Sequence, residues 1–328
     1  MTTSSIRGCG CPLWFIDRAI VCALMVIFAF AVAPDIRADP IRFEMQVVDG
    51  PGKGFNDPVL GQQRRQAFQF AASRWGGFFQ SSFAGETVKL QVSFAPISPG
   101  SNERVGDARP RFATLAGTRV PSSLLEHRVG QDFIPQEDGR IRFDEKTNFF
   151  LGTSGDPGDR FDFVTLAMHE IGHVVGFASA LTQDGTYQDG IPTDYDRFVG
   201  DQFDDPLVNL APADRLAAST SGDGLFWTGS KGIAGNDGDE PNLSAGRPFV
   251  VGTNIWHLSD TFGPGDLLMD AALFPGDVIH DLAPVETGML ADLGWKMALA
   301  VPEPSVLALI GLGCGLLIFR LRARERRL

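Results

Sequence analysis

The chain has 328 residues, 40 acidic against 28 basic, and a formal net charge of −12 at pH 7. That balance argues against a surface built to hold nucleic acid or anionic lipid and suits an extracellular protein or one that holds cations. The length suffices for one good hydrophobic core or two small lobes.

Arg7 and Arg18 precede an apolar run at 19–32, and Ile36-Arg-Ala38 offers a small residue for cleavage before Asp39. Residues 1–38 therefore read as a secretory signal peptide, for signal peptidase to remove. The run is short for a membrane span, and a hydrophobic anchor retained at this end is the alternative. The four cysteines, Cys9, Cys11, Cys22 and Cys314, fall near the two ends, so a domain at 39–300 has none and cannot rely on disulfides or on a cysteine switch. Without the ends, that domain keeps 20 basic and 36 acidic residues, a net charge near −16.

Residues 41–48 alternate as a half-buried strand, 49–57 form a loop, and Pro58 opens a helix. In that helix Phe68, Ala71, Ala72, Trp75, Phe78 and Phe79 recur at helical spacing, as a stripe packed on a sheet does. A second strand is predicted at 86–94. Between 95 and 139 the signals are mixed, with one short helix at 122–128, where His127 between charged neighbours reads as a solvated surface histidine. Further strands are predicted at 140–144 and 147–151. This order gives an α+β fold, a twisted sheet packed on two helices, followed by a loop-rich C-terminal lobe.

Residues 165–177 read TLAMHEIGHVVGF. Residues four apart lie on one helix face, so His169 and His173 can aim two imidazole nitrogens at one metal, with Glu170 placed to take a proton from a water there. Asp162 is a candidate N-cap, and Gly176 permits the left-handed backbone that would end a helix of about 162–176. The stretch 178–253 is an insertion rich in Gly, Asp, Pro and Asn, with a strand predicted at 195–199 and a helix at 214–218. Its acidic loops at 182–189 and 236–240 could offer carboxylates to calcium, although neither fits an EF-hand.

Catalytic zinc ordinarily takes three protein ligands and keeps one position for water. In the compact metzincin pattern the third histidine comes six residues after the second, a position held here by Ser179. His257 in GTNIWHLSD is the better candidate and His280 its rival, with Asp260 an acceptor that could orient an imidazole. His257 is followed by Leu267-Leu-Met-Asp270 and by a helix-like stretch at 283–293 closed by Gly294. The active-site motif, the long insertion, the downstream histidine and the Leu-Met turn together resemble the leishmanolysin-like branch of the metzincin zinc peptidases, over roughly 161–295. The resemblance implies zinc ligands at His169, His173 and His257, a catalytic base at Glu170, and a turn methionine at Met269 beneath the metal. It departs in having no tyrosine after Met269; Tyr187 and Tyr195 both lie in the insertion.

At the C-terminus Pro302-Glu303-Pro304 precedes an apolar stretch at 305–319 and an arginine cluster at 320–327. An apolar helix backed by arginines should stop in a membrane with its basic end in the cytoplasm. The three parts in order resemble the PEP-CTERM sorting signal of Gram-negative bacteria, which implies one transmembrane helix at 301–328, exosortase processing, and a cell-surface or extracellular location after transient inner-membrane anchoring. The whole reads as an exported zinc metalloendopeptidase acting on protein or peptide. The alternative is a non-catalytic, zinc-stabilised protein of the cell surface or biofilm matrix.

Overall fold

The computed structural model describes residues 39–97, 104–259 and 266–298. The first strand, β1 (Arg42–Val47), leads through a loop into α1 (Gly61–Phe78), which crosses back to β2 (Thr87–Ala95). Asp57 accepts the N–H groups of Val59 and Leu60, both at 2.8 Å, so the helix begins three residues after the predicted Pro58. Beyond β2 come β3 (Gly106–Pro110), β4 (Phe112–Leu115), β5 (Thr118–Pro121), α2 (Ser122–Val129) and β6 (Gly139–Asp144). The main sheet has the order β1-β2-β6-β3, with β1, β2 and β6 parallel and β3 antiparallel at one edge.

The alternation of β2 decides which face is covered. Val88, Leu90, Val92 and Phe94 are buried, and the residues between them are half-exposed. On the buried face lie α1 and α3 (Phe163–Val175), packed against each other and tied where Trp75 Nε1 donates to Met168 O at 2.9 Å. Phenylalanines fill the space between sheet and helices; Phe143 and Phe163 have ring centroids 4.6 Å apart, and Phe94 stacks on Phe163 at 5.7 Å. Each such ring removes roughly 150–250 Å² from water, so this cluster is the main cohesive element of the first half.

Several expectations are corrected here. His127 is buried, not solvated: α2 is inside along most of its length, and His127 pairs with Glu86 at 2.7 Å. The predicted strand at 147–151 reduces to one bridge, Phe150 to Asp162, because Asp144 draws the Lys146 N–H and the Thr147 hydroxyl into a turn. Residues Tyr195–Phe198 form a 3-10 turn rather than a strand, since Thr193 and Asp196 bond each other reciprocally, and the short β7 (Val199–Asp201) follows.

In the second half β7 pairs antiparallel with β8 (Leu225–Trp227), after α4 (Pro212–Ala218). Next, α5 (Ser230–Gly235) packs on α6 (Pro284–Leu293). Asp292 joins the two by accepting from Trp227 Nε1 and from the N–H groups of Lys231 and Gly232, all within 3.0 Å. Gly294 ends α6 in the left-handed conformation, and Trp295 then stacks on Phe79 at 4.5 Å and donates to Val175 O. Among the described residues no helix is long and apolar enough to cross a membrane; the expected membrane helix and Pro302, Glu303 and Pro304 lie outside them, as do the signal peptide and Asp260.

Candidate metal centre

The site is assembled on α3. Asp162 Oδ2 accepts Thr165 N at 2.7 Å and the Thr165 hydroxyl at 2.8 Å, which caps the helix as the sequence suggests. Gly176 ends it with φ 147° and ψ −11°, a positive φ outside the expected left-handed well. That backbone brings Phe177 O to 2.7 Å from His173 Nδ1. His169 Nδ1 lies 2.7 Å from Leu268 O, and His257 Nδ1 lies 2.9 Å from Thr253 O.

These three contacts fix the tautomers. A carbonyl oxygen only accepts, so each Nδ1 carries the proton and each Nε2 presents its lone pair. Yet His169 Nε2 lies 3.1 Å from both His257 Nε2 and His173 Nε2, and one ligand atom from each ring falls within 4.8 Å of the others. Three lone pairs aimed at one point repel each other unless a cation sits among them. The donor set, three neutral imidazoles, suits zinc. Burial pulls His169 down to about 4 and His257 down to about 3, and holds His173 well below its usual value, so all three are neutral at pH 7.

Glu170 lies on the same helix and is buried, with Oε2 lacking any partner. Burial pushes its carboxyl well above the usual range; Asp107 adds to the effect and Arg104 opposes it. A buried carboxylate oxygen without a partner is costly unless a water or substrate group completes it. Gly106 of β3 makes room: a Cβ there would strike Glu170 Oε1.

The loop that delivers His257 is heavily braced. Asn254 bonds Ser219 O and Gly246 O through Nδ2 and accepts from Val250 N, Ile255 has φ 73°, and Tyr195 OH donates to Ile255 O at 2.9 Å. The Met269 turn lies below: Leu258 N donates to Met269 O, and Met269 is fully buried against Gly172. The rival His280 is placed elsewhere, with Nε2 at 2.7 Å from Asp162 Oδ2, where it braces the helix cap. Ser179 lines the cleft, and its hydroxyl accepts Leu181 N. Neither Tyr187 nor Tyr195 lines the cleft.

Three features escaped sequence reasoning. The edge strand β3 forms the cleft wall, and its charged, glycine-containing sequence carries no alternation. Arg104 stands at the cleft entrance with no motif to mark it. Glu286, buried in α6, accepts Met269 N at 2.7 Å and Ala283 N at 2.8 Å, and burial pushes it up to about 7. Its place three residues after the Ala283 N-cap, as in a capping box, was the available signal. Calcium gains no support: among the described residues the three histidines are the group of His, Cys, Asp or Glu side chains gathered closely enough to hold an ion.

Residues 59–186 match the Matrixin peptidase family, a span covering α1 to the residues just past the active-site helix. Residues 300–327 match the PEP-CTERM protein-sorting motif. No curated protein matches the chain. Matrixins are zinc-dependent, so the first match supports a metallopeptidase and the second supports export toward the cell surface.

Proposed function

We propose that the chain is an exported zinc endopeptidase of the leishmanolysin-like kind, in which His169, His173 and His257 hold the metal and Glu170 is the general base. The observation that carries this is the convergence of three Nε2 atoms in the cleft that Glu170 also lines, with Glu170 Oε2 buried and without a partner. The Matrixin match ends at 186, before His257, so the third ligand rests on geometry. Zinc, when bound, supplies a Lewis acid that acidifies water and polarises a carbonyl.

The chain's own residues do the rest. Asp144 N donates to Val105 O and Arg111 N to Asp138 O, so the antiparallel alternation directs the N–H and C=O of Gly106 and Ala108 away from the sheet. A substrate peptide adds to that edge as an extra strand, its backbone held over Glu170. Glu170 takes a proton from water at Oε2 and returns it to the leaving amine. Leu268 O, Phe177 O and Thr253 O hold the imidazoles so that their lone pairs stay inward.

The cleft, about 750 Å³, opens over the histidines, and no fourth His, Cys, Asp or Glu joins them among the described residues. Both points favour an enzyme over a closed structural zinc site. Before release the chain is held in the inner membrane by its C-terminal apolar stretch until an exosortase acts at Pro302-Glu303-Pro304. The test is Glu170→Gln, which should keep stoichiometric zinc while casein cleavage falls by at least a hundredfold, the low end for a general base. A variant that cleaves as well as wild type removes Glu170 from the reaction.

A further inference from the structure

In a chain whose acidic residues outnumber basic ones by 40 to 28, the cleft over the histidines has the opposite balance. Its lining includes Arg104, Arg109 and Arg119, against two carboxylates, Glu170 and Asp107. Asp107 is already engaged by Arg142, whose Nε reaches Oδ1 at 2.8 Å while Nη2 takes the other oxygen, so it does not neutralise the cleft arginines.

None of the three is firmly paired. Arg104 is exposed and reaches only neutral acceptors, Val251 O and Thr253 Oγ1, each at 3.3 Å. It lines the same cleft as Glu170 and His257, so it stands beside the reacting centre. Arg109 is exposed, and its side chain has no hydrogen bond or ion pair in the structure. Arg119 lies over the Phe112 ring at 5.1 Å and meets Asp189 only at 3.5 Å, through an aspartate side chain that is 76% exposed.

The arginines are also spaced for a bound strand. Arg104 and Arg109 bracket Gly106, which lies against Glu170. Five residues of extended chain separate them, roughly 17 Å, so Arg104 lies on the Glu170 side and Arg109 on the face that carries Arg140 and Arg142. A peptide strand laid along this edge, whose side chains alternate likewise, passes both with the catalytic glutamate between. Guanidinium groups flanking an edge where a bound strand expels water call for carboxylates from that strand.

We propose that the cleft selects peptides bearing carboxylate side chains on both sides of the cleaved bond, one read by Arg104 and the other by Arg109 together with Arg119. This rests on the peptidase reading and names the substrate class for it. The test uses full-chain Glu170→Gln protein titrated, by fluorescence anisotropy, with a labelled extended peptide carrying glutamates on both sides of a central alanine pair, and with its glutamine counterpart. The acidic peptide should bind roughly tenfold tighter per carboxylate, the size of one charged hydrogen bond. One step of that preference should vanish in Arg104→Gln and the other in Arg109→Gln/Arg119→Gln, and added salt should weaken it. Equal binding of the two peptides, or a preference that survives in all the arginine variants, overturns the proposal. Casein cleavage by the zinc-loaded wild type without charge preference sinks the proposal and leaves the peptidase standing. Selective binding of the acidic peptide with no cleavage of any peptide does the reverse.

Discussion

The sulfur of Met269 occupies the space that a side chain on Gly172 would need: a Cβ added there would collide with Met269 Sδ and lie 3.1 Å from its Cε. The glycine inside the His169-Glu-Ile-Gly-His173 motif is therefore a seat for the turn below the site. Met269 is fully buried, so its flexible side chain has no solvent to swing into. Gly172→Ala should cost about 1–3 kcal/mol as an overpacked core, in spite of alanine's better helix propensity. Because Leu268 O orients His169, zinc affinity should fall as well. The double variant Gly172→Ala/Met269→Ala should recover part of the zinc affinity. Thermal unfolding and zinc content read both effects, and an unchanged Gly172→Ala protein would show that the turn is not seated this way.

His257 and His280 make opposite predictions. Removing His257 deletes one of three converging nitrogens, so His257→Ala should lose bound zinc by mass spectrometry while the rest of the braced loop stays in place. His280 bonds Asp162 Oδ2, which also caps α3 through Thr165. His280→Ala should keep its zinc and lose about 1–3 kcal/mol of stability, the scale of a lost hydrogen bond to a buried carboxylate. If His280→Ala loses the metal and His257→Ala keeps it, the ligand assignment is reversed.

How much of this was legible in the sequence follows from where the determining contacts lie. The helix that carries His169 and His173 could be read because its signals are local: the Asp162 cap, the apolar content and the histidine pair all fall within one helix and its N-cap. The strands β1, β2 and β6 were legible because one face of each packs on the core, buried in β2 and β6 and half-buried in β1, which enforces alternation. The edge strand β3 has no such constraint, since charged Asp107 and Arg109 flank its one buried residue, Ala108. His127 was misread because Glu126 and Arg128 beside it look solvated, while its burial is set by Glu86 and Trp295, 41 and 168 positions away. Glu286 was half legible: its bond to Ala283 N follows capping-box spacing, whereas its bond to Met269 N joins a distant part of the chain.

Glu286 also gives a pH dependence with a defined sign. Its folded value is raised to about 7 from an ordinary 4.5, chiefly by burial, so the folded protein binds this proton more tightly than the unfolded chain. The stability it contributes is complete below about 4.5 and is lost as pH rises toward 7. The loss is of order 3 kcal/mol across that window. Glu286→Gln, which cannot ionise, should flatten the curve there. Urea unfolding at several pH values compares the two proteins, and parallel curves from pH 4.5 to 7 would remove Glu286 as the cause.

The buried pair of His127 and Glu86 ties together three separate parts of the chain. Lys296 N donates to His127 Nε2 at 3.2 Å, so the ring proton is on Nδ1 and goes to Glu86 Oε1 at 2.7 Å. Ser82 N donates to the other oxygen of Glu86, and the imidazole packs on Trp295 with centroids 4.7 Å apart. Replacing His127 with leucine keeps much of the packing but removes the donor to Glu86, whose side chain is 4% exposed. Leaving one oxygen of a buried carboxylate without its donor costs about 1–3 kcal/mol or more, a sizeable share of a domain's total stability. His127→Leu should therefore unfold at much lower urea, whereas Glu86→Gln/His127→Gln, which leaves two neutral groups able to bond each other, should retain most of the lost stability. Zinc content per folded molecule should be unchanged in both, since neither residue touches the metal centre. A His127→Leu protein as stable as wild type would return this histidine to the surface role that its charged neighbours suggest.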